Sequence, residues 1–271
     1  MTSAVHPRSL VGFGKGTNEL YNKARPSYRP EVLSRIRKAV ESPGPLNVVE
    51  IGSGTGLFTR ALLEQWTDVG SLKAIEPSEG MRETFAKYTT DDRITLTEGT
   101  FDNTGVEDGW ADVVVIAQAY HWCLDHGAAA AEFGRILKPG GVLSLIWNAE
   151  NDDAVEWLKQ LQMRAKQEYD GTPNFRSGLW RGLFEASEYL NLFLPPEEQI
   201  FQWDIPGTTE GILNRALSSS RVIALADAER DQFVEDVRVI LERGDGRKWI
   251  EEDKGTFVYP HTTRLVLSRR K

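Results

Sequence analysis

VVEIGSGTGLF, residues Val48–Phe58, passes from an apolar run through Gly52, Gly54 and Gly56 into LFTRALLEQW, whose apolar spacing is that of a helix. Strand, tight turn and helix in that order make a setting in which a glycine loop can hold a ligand; the glycines alone would mean little. A dinucleotide loop wants its third glycine three positions after the second, where the helix packs on the strand and a pyrophosphate lies over the helix N-terminus. Counted from Gly54 that position is Leu57, so the spacing is G-x-G-x-G and another adenosine-bearing ligand has to be weighed.

Outward from the loop, strand-like and helix-like runs alternate: NVVEIG, LFTRALLEQW, SLKAIEP, GMRETFAKY, RITLTEG, ADVVVIAQA, GAAAAEFGRIL and VLSLIWN. The Val- and Ile-rich runs do not alternate in polarity, which predicts a parallel sheet covered on both faces. LKPGG, Lys138–Gly141 with its preceding Leu137, stops one helix and starts the next strand. Residues 151–170 carry the 3.6 period of an amphipathic helix, and GLWRGLF and YLNLFLPP make an aromatic-rich insertion beside the sheet. QIFQWDIP reads as a strand, two helices follow, and GTFVYPHTTRLVLSRR reads as a last long strand, expected to be antiparallel. The expected fold is α/β, a doubly wound, mostly parallel seven-stranded sheet. The expected organisation is one domain over 1–271: a cap at 1–45, a cofactor-binding core at 46–148, a substrate-side insertion at 149–199 and C-terminal elements at 200–271.

The 271 residues are ample for a core, and 40% hydrophobic with 27% charged is an ordinary globular composition. The net charge of −8, from 32 basic and 40 acidic residues, with no basic-aromatic block, disfavours a nucleic-acid partner. Cys123 is the single cysteine, and no Cys/His grouping has zinc-ligand spacing, so no metal is expected and a reducing, cytoplasmic setting fits. MTSAVHPRSLVGFG lacks a signal-peptide core, and no apolar run reaches the length of a membrane span.

Two carboxylates flank the loop. Glu50 can bond amino groups or brace the loop, and Glu76, ending LKAIEP, can accept from a ribose diol. Taken in order, EIGSGTG, Glu76, GTFD (Gly99–Asp102), DVVVIAQAYHW and RILKPGGVLSLIW resemble the motifs of class I S-adenosylmethionine-dependent methyltransferases. They span residues 46–148. YNKARPSYRP and the His121-Trp122 pair make the chain similar, within that family, to the type 11 group that includes trans-aconitate methyltransferases.

The resemblance implies S-adenosylmethionine as cofactor. It implies Gly52, Ser53, Gly54, Thr55 and Gly56 under its methionine and ribose, Glu76 with Pro77 at the ribose hydroxyls, and Asp102 at the adenine amino group. Met81 and Phe101 would flank the adenine, and Gln118 would lie where the fourth strand meets the sulfonium. Tyr21 and Arg25 would close over the cofactor, Arg25 against its carboxylate. His121 is the catalytic candidate, as base, anion anchor or structural group; His126 reads as a surface or capping group. Trp122 would form a wall of the acceptor pocket or stack on the cationic donor. Tyr28, Trp147, Asn148 and Trp180, with Trp157, Phe175 and Phe184, would wall an acceptor pocket, and Arg176 and Arg181 could clamp a carboxylate. The expected reaction is methyl transfer to a small molecule, O-methylation first, with a carboxylate as one acceptor. N- or S-methylation, and cofactor binding without transfer, stand as alternatives. A nicotinamide oxidoreductase is disfavoured by Leu57 and by the lack of a Tyr-x-x-x-Lys pair. A monomer or homodimer without membrane partners is expected.

Overall fold

The computed structural model describes residues 6, 22, 25–168, 171–223 and 225–271, and of residues 220 and 221 only the backbone. The central sheet has strands β1 (Leu46–Ile51), β2 (Val69–Ile75), β3 (Ile94–Thr97), β4 (Ala111–Ala117), β5 (Leu137–Glu150), β6 (Glu197–Gly207), β7 (Trp249–Glu251) and β8 (Thr256–Arg269). Seven run across it in the order β3-β2-β1-β4-β5-β8-β6, and the three-residue β7 adds an eighth against β8. β3, β2, β1, β4 and β5 are mutually parallel. β8 runs antiparallel to both β5 and β6. The expected mostly parallel sheet is present, with the antiparallel last strand β8 lying between β5 and β6.

Burial explains the polarity pattern. Every residue of β4, and all but one of β1, is buried because helices cover both faces. On one face α1 (Pro30–Ala39) and α2 (Leu57–Gln65) share a core with Val48, Val113 and Val115. α3 (Glu79–Tyr88), capped by the Ser78 hydroxyl on Met81 N, follows β2. On the other face α4 (His126–Ile136) and the aromatic insertion pack on Val49, Val114 and Leu145. Trp147 lies in this core with its ring 4.4 Å from that of Trp180, a contact worth about 0.5–1.5 kcal/mol beyond burial.

The insertion is shorter-ranged than its pattern suggested. Helix α5 covers Glu156–Gln167 within the expected 151–170, and α6 (Ser187–Leu192) follows two 3-10 turns that contain Phe175 and Trp180. α7 (Thr209–Leu217), α8 (Ser220–Ile223) and α9 (Asp227–Arg243) close a third core with α5 and the start of β8. Trp157 belongs to this third core, against Phe257 and Tyr259, and not with Phe175, Trp180 and Phe184. Its helix turns Trp157 and Leu158 into this core, and it is Leu161 and Phe233, not Trp157, that border a cavity of about 200 Å³. No helix among the described residues is long and apolar enough to cross a membrane.

Candidate active site

The glycine loop is held by β2. Gly52 N and Ser53 N both donate to the Ile75 carbonyl, at 2.8 and 3.1 Å, so the loop folds back over the ends of β1 and β2. Gly52 and Gly56 have φ of +74° and +80°, and a Cβ on either would sit 2.5 Å from a neighbour, Ala119 Cβ or Thr89 Oγ1. Gly54 differs: an added Cβ would meet nothing within 4 Å. It faces a cavity of about 80 Å³ lined by Gly52, Gly54, Glu76, Pro77, Met81 and Phe101 among others.

Glu76 ties the loop to α3. Its Oε2 accepts from Gly54 N and its Oε1 from Ser78 N, each at 2.9 Å. Burial pushes this carboxyl up, against the pull of the two amides. Each oxygen keeps a second lone pair for a hydroxyl. Ser53 Oγ is buried and has no hydrogen-bond partner among the described residues. A spare acceptor pair on Glu76 and a side-chain-free wall at Gly54 fit an adenosine-bearing group with polar substituents, whereas Ser53 lines neither cavity.

The remaining cofactor candidates divide. Asp102 accepts from the Thr100 hydroxyl at 2.6 Å, next to cavity-lining Thr100 and Phe101, without lining the cavity itself. Glu50 is turned away into the core, where the Thr59 hydroxyl donates to it at 2.5 Å and burial drives its carboxyl up to about 8. It braces α2 rather than facing the cavity. Thr55 donates to Asn22 Oδ1 at 3.1 Å, and Arg60 donates to the same oxygen at 2.8 Å, holding the Asn22 side chain against the loop. Tyr21 lies outside the described residues.

A second cavity of about 200 Å³ adjoins the first, and Gln118 and Trp122 line both. Gln118 has φ +59°, a left-handed backbone that is uncommon for residues other than glycine. Its Nε2 donates to the Asn148 carbonyl at 2.6 Å. Arg25, His121, Asn148, Phe175 and Arg176 line this second cavity, so Arg25 stands on the acceptor side and not on the loop. Arg176 is paired with Asp152 at 2.8 Å, and Arg181 pairs with Glu198 outside the cavity. Trp147, Trp180 and Tyr28 line neither cavity: the first two form the core behind the wall, and Tyr28 packs edge-on against Phe58.

His121 is identified by what it can no longer do. The Trp147 indole donates to its Nδ1 at 3.4 Å, and an indole nitrogen only donates, so the proton of the neutral ring is on Nε2. Burial, then Arg25, pull its pKa down to about 3. His126 is more than a surface cap: Nδ1 meets the Tyr120 hydroxyl at 3.0 Å and Nε2 the Leu179 carbonyl at 3.1 Å, joining the loop after β4 to the insertion.

Residues not singled out from the sequence complete the cavity. Arg215 Nη2 pairs with Glu150 Oε1 at 2.9 Å, and the Tyr259 hydroxyl donates to the same oxygen at 3.3 Å. Burial would raise Glu150, but Arg215, then His261, and least Arg25, together outweigh that and hold it at about 2. Arg215 sits in ILNRALSSS, where its charge reads as the solvated face of an amphipathic helix; nothing local marks its partner at the end of β5. Among the described residues no His, Cys, Asp and Glu cluster could hold a metal ion.

Comparison with known proteins agrees with this geometry. Residues 49–145 match the family model described as a methyltransferase domain. An uncharacterised methyltransferase of Mycobacterium tuberculosis is 33% identical over 161 residues, which are 59% of this chain and 61% of that protein. A methyltransferase-like protein of Schizosaccharomyces pombe is 28% identical over 164 residues, 60% of this chain and 62% of the relative. The chain thus spans less than two thirds of the length of these relatives. Among solved structures, a protein assigned as a type II methyltransferase from Anaeromyxobacter dehalogenans superposes with a TM-score of 0.60 at 18% identity, over 91% of this chain and 97% of that one. YcgJ of Bacillus subtilis gives 0.54 at 15% identity, over 90% and 99%. Glycine loop, sheet order and family match together make residues 49–145 a class I methyltransferase domain.

Proposed function

We propose that the protein transfers a methyl group from S-adenosylmethionine to a small organic acid, methylating a carboxylate oxygen. The observation that carries this reading is the shared wall of the two cavities: Gln118 and Trp122 border both the glycine-loop cavity and the cavity that holds His121. Glu76 and Gly54 would hold the cofactor, with Met81 and Phe101 against its adenine. When bound it would supply a sulfonium-activated methyl group. The protein's own part is alignment, which can deliver most of the acceleration of an in-line substitution.

The acceptor class follows from charge and proton inventory. Arg25 and Arg215 line the cavity together with Glu150, which pairs with Arg215, and guanidinium groups in a cavity wall can orient an anion. His121, held neutral with Nε2–H, offers a donor to an anion and no proton acceptor on that nitrogen. Glu150, held near 2 in an ion pair, is a poor base. A carboxylate is already ionised at neutral pH and needs orientation rather than deprotonation, unlike an amine or phenol. The Cys123 thiol, pushed up to about 12 by burial, is no competing nucleophile. A cytoplasmic monomer or homodimer is the setting we favour.

Isothermal titration with S-adenosylmethionine, S-adenosylhomocysteine and NADH tests the cofactor, and S-adenosylhomocysteine release with a panel of acids, phenols, amines and thiols tests the acceptor. Binding of the first two alone, with turnover of acids, is expected. Binding of NADH instead, or turnover confined to amines, would overturn the reading.

A further inference from the structure

Three side chains cross the far half of the sheet and end at the acceptor cavity. Asn148 on β5 lies opposite Thr263 on β8, and Thr263 lies opposite Phe201 on β6. Trp203, two residues on from Phe201, is therefore the diagonal neighbour of Thr263 on the same face. Its indole donates to Thr263 Oγ1 at 2.9 Å, and the Thr263 hydroxyl donates to Asn148 Oδ1 at 2.6 Å. Trp203, Thr263 and Asn148 are 8, 0 and 6% exposed, so a broken link leaves a group with no ready access to solvent.

The direction of the chain is fixed from both ends. Because an indole N–H only donates, Thr263 accepts from Trp203 and keeps its own hydrogen for Asn148. At the other end Asn148 Nδ2 donates to the Ser27 carbonyl at 3.3 Å. Turning the carboxamide over would set two acceptors against each other there. The backbone carbonyl of the same Asn148 holds Gln118, the left-handed residue at the junction of the cavities. Ser27 is two residues from cavity-lining Arg25.

We propose that Thr263 and Trp203 are positioning residues: they orient the Asn148 carboxamide, which docks residues 25–29, and with them Arg25, on the acceptor cavity. The kinetic consequence rests on the methyl-transfer reading above; the docking itself does not. The test compares full-length Thr263→Val and Thr263→Ser in the presence of S-adenosylhomocysteine. Hydrogen exchange of the Ser27, Tyr28 and Arg29 amides should quicken about tenfold in Thr263→Val, the dissociation constant for S-adenosylhomocysteine should stay within about twofold, and KM for an accepted carboxylic acid should rise about tenfold with kcat changed less. Thr263→Ser, which keeps the hydroxyl, should restore all three. Should Thr263→Val fold poorly, Trp203→Phe, which leaves that hydroxyl in place, should speed the same exchange to a lesser degree. Unchanged exchange in Thr263→Val, or in Trp203→Phe where Thr263→Val does not fold, overturns the proposal, as does Thr263→Ser as damaging as Thr263→Val. If the wild type turns over no acid, the transfer reading fails while exchange alone decides the docking.

Discussion

Glu50 and His121 are both buried beside the cofactor and acceptor cavities, and burial moves their proton equilibria in opposite directions with different consequences. The Glu50 carboxyl rises from 4.5 to about 8, so the folded state keeps a proton that the unfolded chain gives up above 4.5. Its contribution favours folding least at high pH: stability should fall as pH climbs from 4.5 to 8 and change no further above that. Glu50→Gln, whose side-chain oxygen can still accept from Thr59, removes the penalty. Its melting temperature, level with the wild type at pH 4.5, should pull ahead by pH 8, by an amount corresponding to a few kcal/mol at most at ~1.4 kcal/mol per unit. Melting curves that stay parallel from pH 4.5 to 8 would mean that Glu50 is ionised in the folded protein. His121 gives a kinetic counterpart. With its pKa down at about 3 it does not titrate near 6.5, so kcat/KM should be flat from pH 6 to 8. His121→Phe should lose about tenfold or more in kcat/KM through the missing donor to an anion, and His121→Gln should recover part of it. An acidic limb near 6.5 that vanishes in His121→Phe would make the imidazole a base.

At the scale of the element, the loop between β1 and α2 separates folding from binding among its own glycines. Gly52→Ala places a Cβ 2.5 Å from Ala119 Cβ in a left-handed backbone, so it should cost stability first. Gly54→Ala shares the backbone strain, at φ +56°, but its Cβ points into open space. Gly54→Ala should therefore melt closer to the wild type while losing the larger share of cofactor affinity, as calorimetry with S-adenosylhomocysteine and thermal melts on both variants would show. The reverse ranking would move the cofactor away from Gly54. This loop was legible because strand, glycines, helix and Glu76 are near one another in the chain, and because β1 and β4, buried on both faces, carry uninterrupted apolar runs. The acceptor cavity was legible only in part: His121, Asn148, Phe175 and Arg176 were read from the sequence and line it, but its buried ion pair was not. Arg215 and Glu150 meet only because α7 packs over the end of β5, and each alone looks like a solvated charge. Trp157 and Trp180 are alike in composition, yet α5 turns the first into a separate core while a 3-10 turn lays the second on Trp147. Aromatic content marked an apolar insertion without saying which face each ring would take.

Across the whole molecule, a chain of overall charge −8 carries a cavity lined by Arg25, Arg215 and Glu150, the last two paired at 2.9 Å. On the proposed carboxylate reading, an anionic acceptor would be repelled at long range by the overall charge and met inside by the guanidinium groups of the cavity wall. Salt acts on these two parts unequally, since the Debye length shrinks from about 30 Å at 0.01 M to about 8 Å at 0.15 M, whereas buried pairs are screened much less. Over that range KM for an acid acceptor should stay level or fall, because screening removes the repulsion and leaves the cavity's pull. Glu150→Gln should lower KM further at every salt concentration by removing a negative charge from the cavity wall, although Arg215 then loses a buried partner and the melting temperature should drop. If KM instead climbs several-fold with salt and is indifferent to Glu150→Gln, the anion is being gathered by exposed surface cations, and the pair of guanidinium groups beside His121 serves the fold rather than the substrate.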